Sequence, residues 1–242
     1  MQLLSAVDRI VCINLAKRKD RFLKVKERFE NIGLEDVQFF FAEQHARGAA
    51  YGCFHSHLTC IEKAYNDGVT NLLVFEDDVQ FMEGWKRVFC DAQEFLVSDL
   101  GNEYEALFLG GHMFHLQEKT TPCIWHAKCV LMHAYIVSRK GMETFLQKLS
   151  LMEKRIDQCH FDVLLSSVWQ NMYCHEANHV IIQDTALGTD NYWAQGIPDK
   201  YTLWFQTVVI PKYFRLSQPL IRSEMCGVVA ILDSVMFGAF MM

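Results

Sequence analysis

Between Arg9 and Asp78 the chain alternates two hydrophobic periodicities in a fixed order, and that order limits the fold more than any other feature. Arg9-Ile-Val-Cys-Ile-Asn-Leu15 is an apolar run of strand length. Phe22, Val25, Phe29 and Ile32 then recur at helical spacing, with Asp20 placed to cap the helix and Gly33 to stop it. Val37 to Ala42 reads as a second strand, followed by a glycine-containing loop. Phe54, Leu58, Ile61 and Ala64 or Tyr65 share the inward face of a second helix that opens at His55-Ser-His57 and ends at Gly68. Asn71 to Phe81 begins as a buried strand. Strand, helix, strand, helix, strand implies an α/β architecture, a Rossmann-type, mostly parallel sheet with helices on both faces. Downstream, Tyr104 to Gly111 and Cys129 to Val137 read as two further strands. Ser138 caps a helix running to about Leu149, another helix spans roughly Asp162 to Met172, and a late strand lies near His179 to Gln183.

The third strand runs directly into Glu76, Asp77 and Asp78. Three carboxylates at one strand end repel and raise one another's pKa unless a cation or hydrogen-bond donors compensate. Hard oxygen ligands suit Mg²⁺ or Mn²⁺, and a phosphate group can complete the coordination, which points to chemistry on a nucleotide diphosphate. The alternative is an acidic strand exit whose carboxylates are solvated or cap a helix. In open α/β sheets ligands sit beyond the carboxyl ends of the strands, and Asn14 to Arg21, Glu76 to Asp78 and Gly110 to His112 all fall there.

Composition removes several classes. At 242 residues and 51% hydrophobic, the chain can bury the core of one large domain, and it shows no internal repeat or low-complexity tract. The formal charge of −6 argues against a nucleic-acid partner, whose phosphates would need neutralising. Nine scattered cysteines without a Cys-x-x-Cys pair fit a reducing compartment, and no secretory leader is visible, so a cytoplasmic location is expected. We expect one catalytic domain over residues 1–225 and an apolar segment, 226–242, packed on it. That segment is too short for an ordinary spanning helix; an oligomer contact and a peripheral membrane contact are its alternative uses.

Lys17-Arg-Lys-Asp-Arg21 places cations at a helix start, against the helix dipole. Arg18 and Arg21 have the bidentate geometry to hold a pyrophosphate or ribose-phosphate, the bland alternative being a solvated basic turn. His55 and His57, two apart, face different directions and do not form a helical metal pair. Cys159-His160, Cys174-His175 and His179 match no zinc spacing and read as coincidence.

Four segments in order resemble glycosyltransferase family 25, the group of bacterial lipooligosaccharide galactosyltransferases and procollagen galactosyltransferases. They are Arg9 to Arg21, similar to the family's opening strand and Asn-Leu-x-x-Arg-x-Asp-Arg element; Gly52-Cys-Phe-His-Ser-His57; Leu73-Val-Phe-Glu-Asp-Asp-Val79; and Ala134-Tyr-Ile-Val-Ser-Arg-Lys-Gly141. The resemblance covers roughly residues 8 to 185 and implies a GT-A-like fold. It also implies inverting transfer of a sugar, galactose or glucose, from a UDP-sugar to a glycan or hydroxylated protein acceptor. In that setting Asp78 and Glu76 hold Mn²⁺ or Mg²⁺, while Asn14, Arg18, Arg21, His57, Glu76 and Asp77 shape the substrate site. Asp162 corresponds to the acidic position after the Ser-x-x-Gly helix and is the candidate general base, with Asp184 and Asp190 as alternatives and a helix cap as its structural reading. The chain departs from the family at Ala49-Ala50, where Gly-Glu is frequent. A Mg²⁺-dependent nucleotidyl- or phosphotransferase, or an inactive nucleotide-sugar or glycan-binding module, would use the same carboxylates.

Overall fold

The computed structural model describes residues 4–156, 161–184 and 187. Ten strands and six α-helices follow one another as β1 (Arg9–Leu15), α1 (Lys19–Asn31), β2 (Val37–Ala42), α2 (Ala49–Asn66), β3 (Asn71–Glu76), β4 (Val79–Phe81), α3 (Trp85–Leu96), β5 (Ala106–Phe108), β6 (His112–Lys119), β7 (Ile124–Val130), β8 (Ala134–Ser138), α4 (Arg139–Gln147), α5 (Leu149–Arg155), α6 (Phe161–Val168), β9 (Met172–His175) and β10 (Ile181–Gln183). Eight strands form one sheet in the order β2-β1-β3-β8-β5-β9-β7-β6, and β10 pairs with β4 in a separate two-stranded ladder.

The expected α/β architecture is present, with one refinement. The β2-β1-β3 half is parallel throughout, whereas β8 enters antiparallel between β3 and β5, and β7 runs against both β9 and β6. The large sheet is therefore mixed, with six strands pointing one way and β7 and β8 reversed. β8 follows β7 through a turn at Leu131, which has a φ of 74°, rather than through a helical crossover. Cys129 to Val137 is accordingly two strand pieces split at that turn, and the β6–β7 hairpin lies at the far sheet edge.

The strand interiors show why the order holds. Along β3, Leu72 and Val74 belong to one buried cluster and Leu73 and Phe75 to the other, the period of two that a strand buried on both faces requires. Phe54, Leu58 and Ile61 of α2, Met142 and Phe145 of α4, and Leu164 and Leu165 of α6 cover the first face. Val25 and Phe29 of α1 with Val88, Phe89 and Phe95 of α3 cover the second. Helix starts differ from the expectation in two places. Asp20 lies within the first turn of α1 and forms no cap; α2 begins at Ala49 rather than at His55, which carries His57 into its interior. Ser138 does cap α4, its hydroxyl accepting from the Gly141 N–H at 3.0 Å. Met172 opens β9 instead of closing a helix.

Candidate active site at the carboxyl edge of the sheet

β1 sits between β2 and β3, so the chain leaves it first to one side and then to the other. The crevice at that reversal is where α/β sheets place ligands. Asn14, one residue before the end of β1, and Glu76, the last residue of β3, lie there, with Asp77 and Asp78 in the turn that follows.

The three carboxylates have three different environments. Asp77 is buried and engaged: its Oδ1 accepts from Arg21 Nη1 at 2.8 Å, and its Oδ2 accepts from Asn14 Nδ2 at 2.6 Å and the Leu15 N–H at 3.4 Å. Arg21 is itself buried, 7% exposed, and its guanidinium serves Asp77 with a longer 3.9 Å approach to Asp78. A buried ion pair reinforced by hydrogen bonds from Asn14 and Leu15 fixes geometry, here tying α1 and β1 to the turn after β3.

Asp78 is the opposite case. Its Oδ1 is buried without a hydrogen-bond partner among the described residues, as is Asn14 Oδ1. Burial, followed by the charge of Glu76, pushes the Asp78 carboxyl up to about 8, with Arg21 opposing the rise. An unsatisfied carboxylate oxygen held out of water fits a hard divalent cation, which would supply the missing charge. Asp78 and Glu76 therefore offer the oxygen donors that Mn²⁺ or Mg²⁺ takes.

Glu76 is held from two sides. Its Oε1 lies 3.1 Å from His57 Nε2 and 3.9 Å from Cys53 Sγ, both on α2, and its Oε2 accepts from Gln183 Nε2 of β10 at 3.4 Å. His57 is fully buried, and its Nδ1 meets the Tyr135 hydroxyl at 2.9 Å. Tyr135, Cys53 and Gln183 were not singled out by sequence reasoning. Tyr135 and Cys53 lie inside the segments that carry the family resemblance, whereas no local pattern marks Gln183.

The other candidates sit differently. Arg18 is paired with the exposed Asp20 and donates to the Leu187 carbonyl at 2.8 Å, which brings position 187 to the rim of the crevice. That pairing lowers the Asp20 carboxyl to about 2. Asp184 forms an ion pair with Arg28, a longer one with Lys24 at 3.9 Å, and its N–H donates to the Asp78 carbonyl at 2.7 Å. Asp162 occupies the first turn of α6; its side chain, and all of Asp190, lie outside the described residues, as do Cys159, His160 and segment 226–242. His175 hydrogen-bonds Asp91 at 3.1 Å, on the α3 side of the sheet. Gly110 and Gly111, at the same edge, are pressed against backbone: a Cβ on Gly110 would fall 2.1 Å from the Ile181 carbonyl oxygen.

The fold is that of an α/β protein with three acidic side chains at the switch point of its sheet. The family model of glycosyltransferase family 25 (LPS biosynthesis protein) matches residues 47–160, from α2 through the carboxylate turn to α5. Over those residues the chain is similar to this family. Among curated relatives it is 29% identical over 154 residues to the lacto-N-neotetraose biosynthesis glycosyltransferase LgtB of Neisseria gonorrhoeae, covering 54% of this chain and 50% of that protein. It is 25% identical over 198 residues to LgtE of the same organism, covering 69% of this chain and 68% of that one. The matched span is thus half the length of the first relative. A crystal structure of a glycosyltransferase involved in glycosylation of the major capsid of PBCV-1 aligns with a TM-score of 0.41 at 12% identity, over 69% of this chain and 80% of that one. No helix among the described residues is long and apolar enough to cross a membrane.

Proposed function

We propose that the chain is a metal-dependent glycosyltransferase that moves a hexose, galactose or glucose, from a UDP-sugar to a hydroxyl of a glycan, with inversion at the anomeric carbon. The observation that carries this reading is the division of labour among Glu76, Asp77 and Asp78 at the switch point. One carboxylate, Asp77, is paired closely with Arg21, while its neighbour Asp78 keeps one buried oxygen, Oδ1, without a hydrogen-bond partner among the described residues. The match to the family model and the lacto-N-neotetraose biosynthesis glycosyltransferases among its relatives support sugar transfer and a glycan acceptor over a hydroxylated protein. The location in keeping with such an acceptor is the cytoplasm or the membrane surface that faces it.

Asp78 and Glu76 hold the cation, which when bound neutralises the charge of the departing diphosphate. Asn14 positions Asp77 and leaves Oδ1 toward the donor, while Arg21 locks the turn so that Asp78 keeps its orientation. Arg18, at the rim, neutralises phosphate charge from solvent. His57 fixes Glu76 in place. The acceptor hydroxyl gives its proton to a carboxylate, which we assign to Asp162; Asp184 is already committed to Arg28 and is the weaker candidate.

A panel of UDP-, GDP- and CMP-sugars, incubated with protein and Mn²⁺ without acceptor, tests the assignment through slow release of the free nucleotide. Release of UDP from UDP-galactose or UDP-glucose, abolished by EDTA, is the expected result. Release of pyrophosphate from a nucleoside triphosphate with a sugar phosphate would establish a nucleotidyltransferase instead.

A further inference from the structure

Two groups among the described residues bring three metal-ligating side chains together, each with donor atoms within 4.8 Å of one another: Cys53, His57 and Glu76, and Asp91, Cys123 and His175. Hydrogen-bond chemistry separates them. His175 Nδ1 accepts the Ala177 backbone N–H at 3.0 Å, a donor that cannot turn away, so the ring proton stays on Nε2, where it is given to Asp91. A ring in that tautomer has no lone pair on Nε2 for a cation. The Arg87 guanidinium, 2.7 Å from Asp91, adds positive charge. That cluster is a structural hydrogen-bond network.

His57 is held differently. Its Nδ1 faces the Tyr135 hydroxyl, which both donates and accepts, so a rotation of one O–H lets the proton reside on either ring nitrogen. With the proton on Nδ1 and given to Tyr135, Nε2 turns a lone pair toward Glu76, the arrangement in which ligating histidines are held by an outer partner. The spacing matches as well. Tetrahedral ligands about 2.0 Å (N, O) and 2.3 Å (S) from Zn²⁺ lie roughly 3.3–3.6 Å apart; here His57 Nε2 to Glu76 Oε1 is 3.1 Å and Cys53 Sγ to the same oxygen is 3.9 Å. Cys53 and His57, four residues apart on α2, share one helix face. Cys53 and Glu76 are partly exposed, which gives a cation a route in.

We infer that Cys53, His57 and Glu76 form a Zn²⁺ site, distinct in donor chemistry from the hard-cation position at Asp78 but sharing Glu76 with it. Thiolate and imidazole select a borderline-soft cation and are poor ligands for Mg²⁺ or Mn²⁺. Binding releases the Cys53 thiol proton to solvent and leaves the imidazole neutral. Zn²⁺ on Glu76 withdraws that carboxylate from the donor site, so the ion antagonises Mn²⁺-dependent nucleotide binding. This competition rests on the function proposed above; the zinc site itself does not.

The test uses the full chain, reduced and stripped of metal, titrated with Co²⁺ as a spectroscopic probe and then with Zn²⁺. One equivalent of Co²⁺ should produce a near-ultraviolet thiolate-to-metal charge-transfer band that Zn²⁺ abolishes. Cys53→Ser should lack the band and bind Zn²⁺ about 100-fold more weakly in chelator competition, and Tyr135→Phe about tenfold more weakly. Cys123→Ser should keep both properties, and circular dichroism checks that each variant is folded. A band that survives Cys53→Ser, or that disappears in Cys123→Ser, or that never forms, overturns the assignment. In parallel, Zn²⁺ should weaken Mn²⁺-dependent UDP binding in the parent but not in Cys53→Ser. UDP binding indifferent to Mn²⁺ would defeat the donor-site reading alone, leaving the cobalt spectra to decide the zinc site.

Discussion

Asp78→Asn should stabilise the metal-free protein while removing its response to Mn²⁺. In an unfolded chain an aspartate gives up its proton near 3.8, whereas folded Asp78 keeps it to about 8. The folded-state value is raised, so the group contributes nothing below about pH 4. Above that its burial becomes progressively more destabilising, and the contribution levels off above about pH 8. At about 1.4 kcal/mol per unit, the interval from 3.8 to pH 7 sets an upper bound of about 4 kcal/mol. Coupling to Glu76 and a side chain 16% exposed bring the expectation down to about 2–3 kcal/mol. Asparagine keeps the shape and cannot ionise. In EDTA at pH 7.5 the variant should melt about 4–12 °C above the parent, and the two should converge toward pH 4. Added Mn²⁺ should reverse the ranking, because only the parent gains the stabilisation that binding confers. Thermal melts across pH with and without Mn²⁺ measure all of this. A variant less stable than the parent in EDTA at pH 7.5, or one whose stability falls between pH 4 and 8 as steeply as the parent's, would refute the claim that Asp78 is a strained, cation-seeking carboxylate.

The two arginines should separate. Arg21→Ala removes the partner of a buried carboxylate and should destabilise by about 3–5 kcal/mol in denaturant titration, whereas Arg18→Ala should leave the unfolding midpoint nearly unchanged and weaken UDP binding in a salt-dependent way. Unchanged stability on losing Arg21 would remove the structural role given to the pair. Gly141→Ala places a Cβ 2.0 Å from the Glu105 carbonyl oxygen and should lower stability by about 1–3 kcal/mol without changing Mn²⁺ affinity. Asp162→Asn should preserve donor and metal binding yet slow transfer to a glycan acceptor by about 10²–10⁴-fold; near-parental transfer would leave Asp162 as a first-turn residue of α6 and move the base to Asp184 or Asp190.

The parallel half of the sheet was legible because β1, β2 and β3 are separated by helices whose apolar spacing is unambiguous, and short right-handed crossovers leave one arrangement. The mixed half was not. Cys129 to Val137 is nearly continuous in apolar character, and the break falls at Leu131, a residue that advertises no turn: neither glycine nor asparagine marks its positive φ. β6, with the sequence His-Met-Phe-His-Leu-Gln-Glu-Lys, has no clean period of two, since an edge strand leaves part of each face to solvent. Within the site, the carboxylate cluster and the cationic segment were visible, but their pairing was not. Arg21 and Asp77 stand 56 positions apart and meet only because β1 and β3 are neighbours. Helix α2 shows the same limit: its start at Ala49, with Gly48 at a φ of 94°, precedes the histidines by two turns.

The segments that carry the family resemblance divide along physical lines. In Ala134 to Gly141, Tyr135 reaches His57, Ser138 caps α4 while its hydroxyl donates to the Tyr104 carbonyl at 2.6 Å, and Gly141 lets α4 lie against the backbone of Glu105. Apart from Tyr135, that element is scaffold. Arg9 to Arg21 and Leu73 to Val79 contain the charge arrangement itself. Three equivalent carboxylates at a buried strand end would repel, and a protein that merely tolerated them would hydrate all three. This chain spends Arg21 and Asn14 on Asp77, ties Glu76 to His57, and leaves Asp78 with only a long 3.9 Å approach from Arg21 and its Oδ1 without a hydrogen-bond partner among the described residues. Moving Arg21 to Asp78 would lower the strain and, on the proposed function, erase the cation's place, so the asymmetry is the feature on which that proposal depends. The same residues explain why stability and metal response should move in opposite directions when Asp78 is neutralised: the unsatisfied oxygen that weakens the metal-free fold is the one a cation would satisfy.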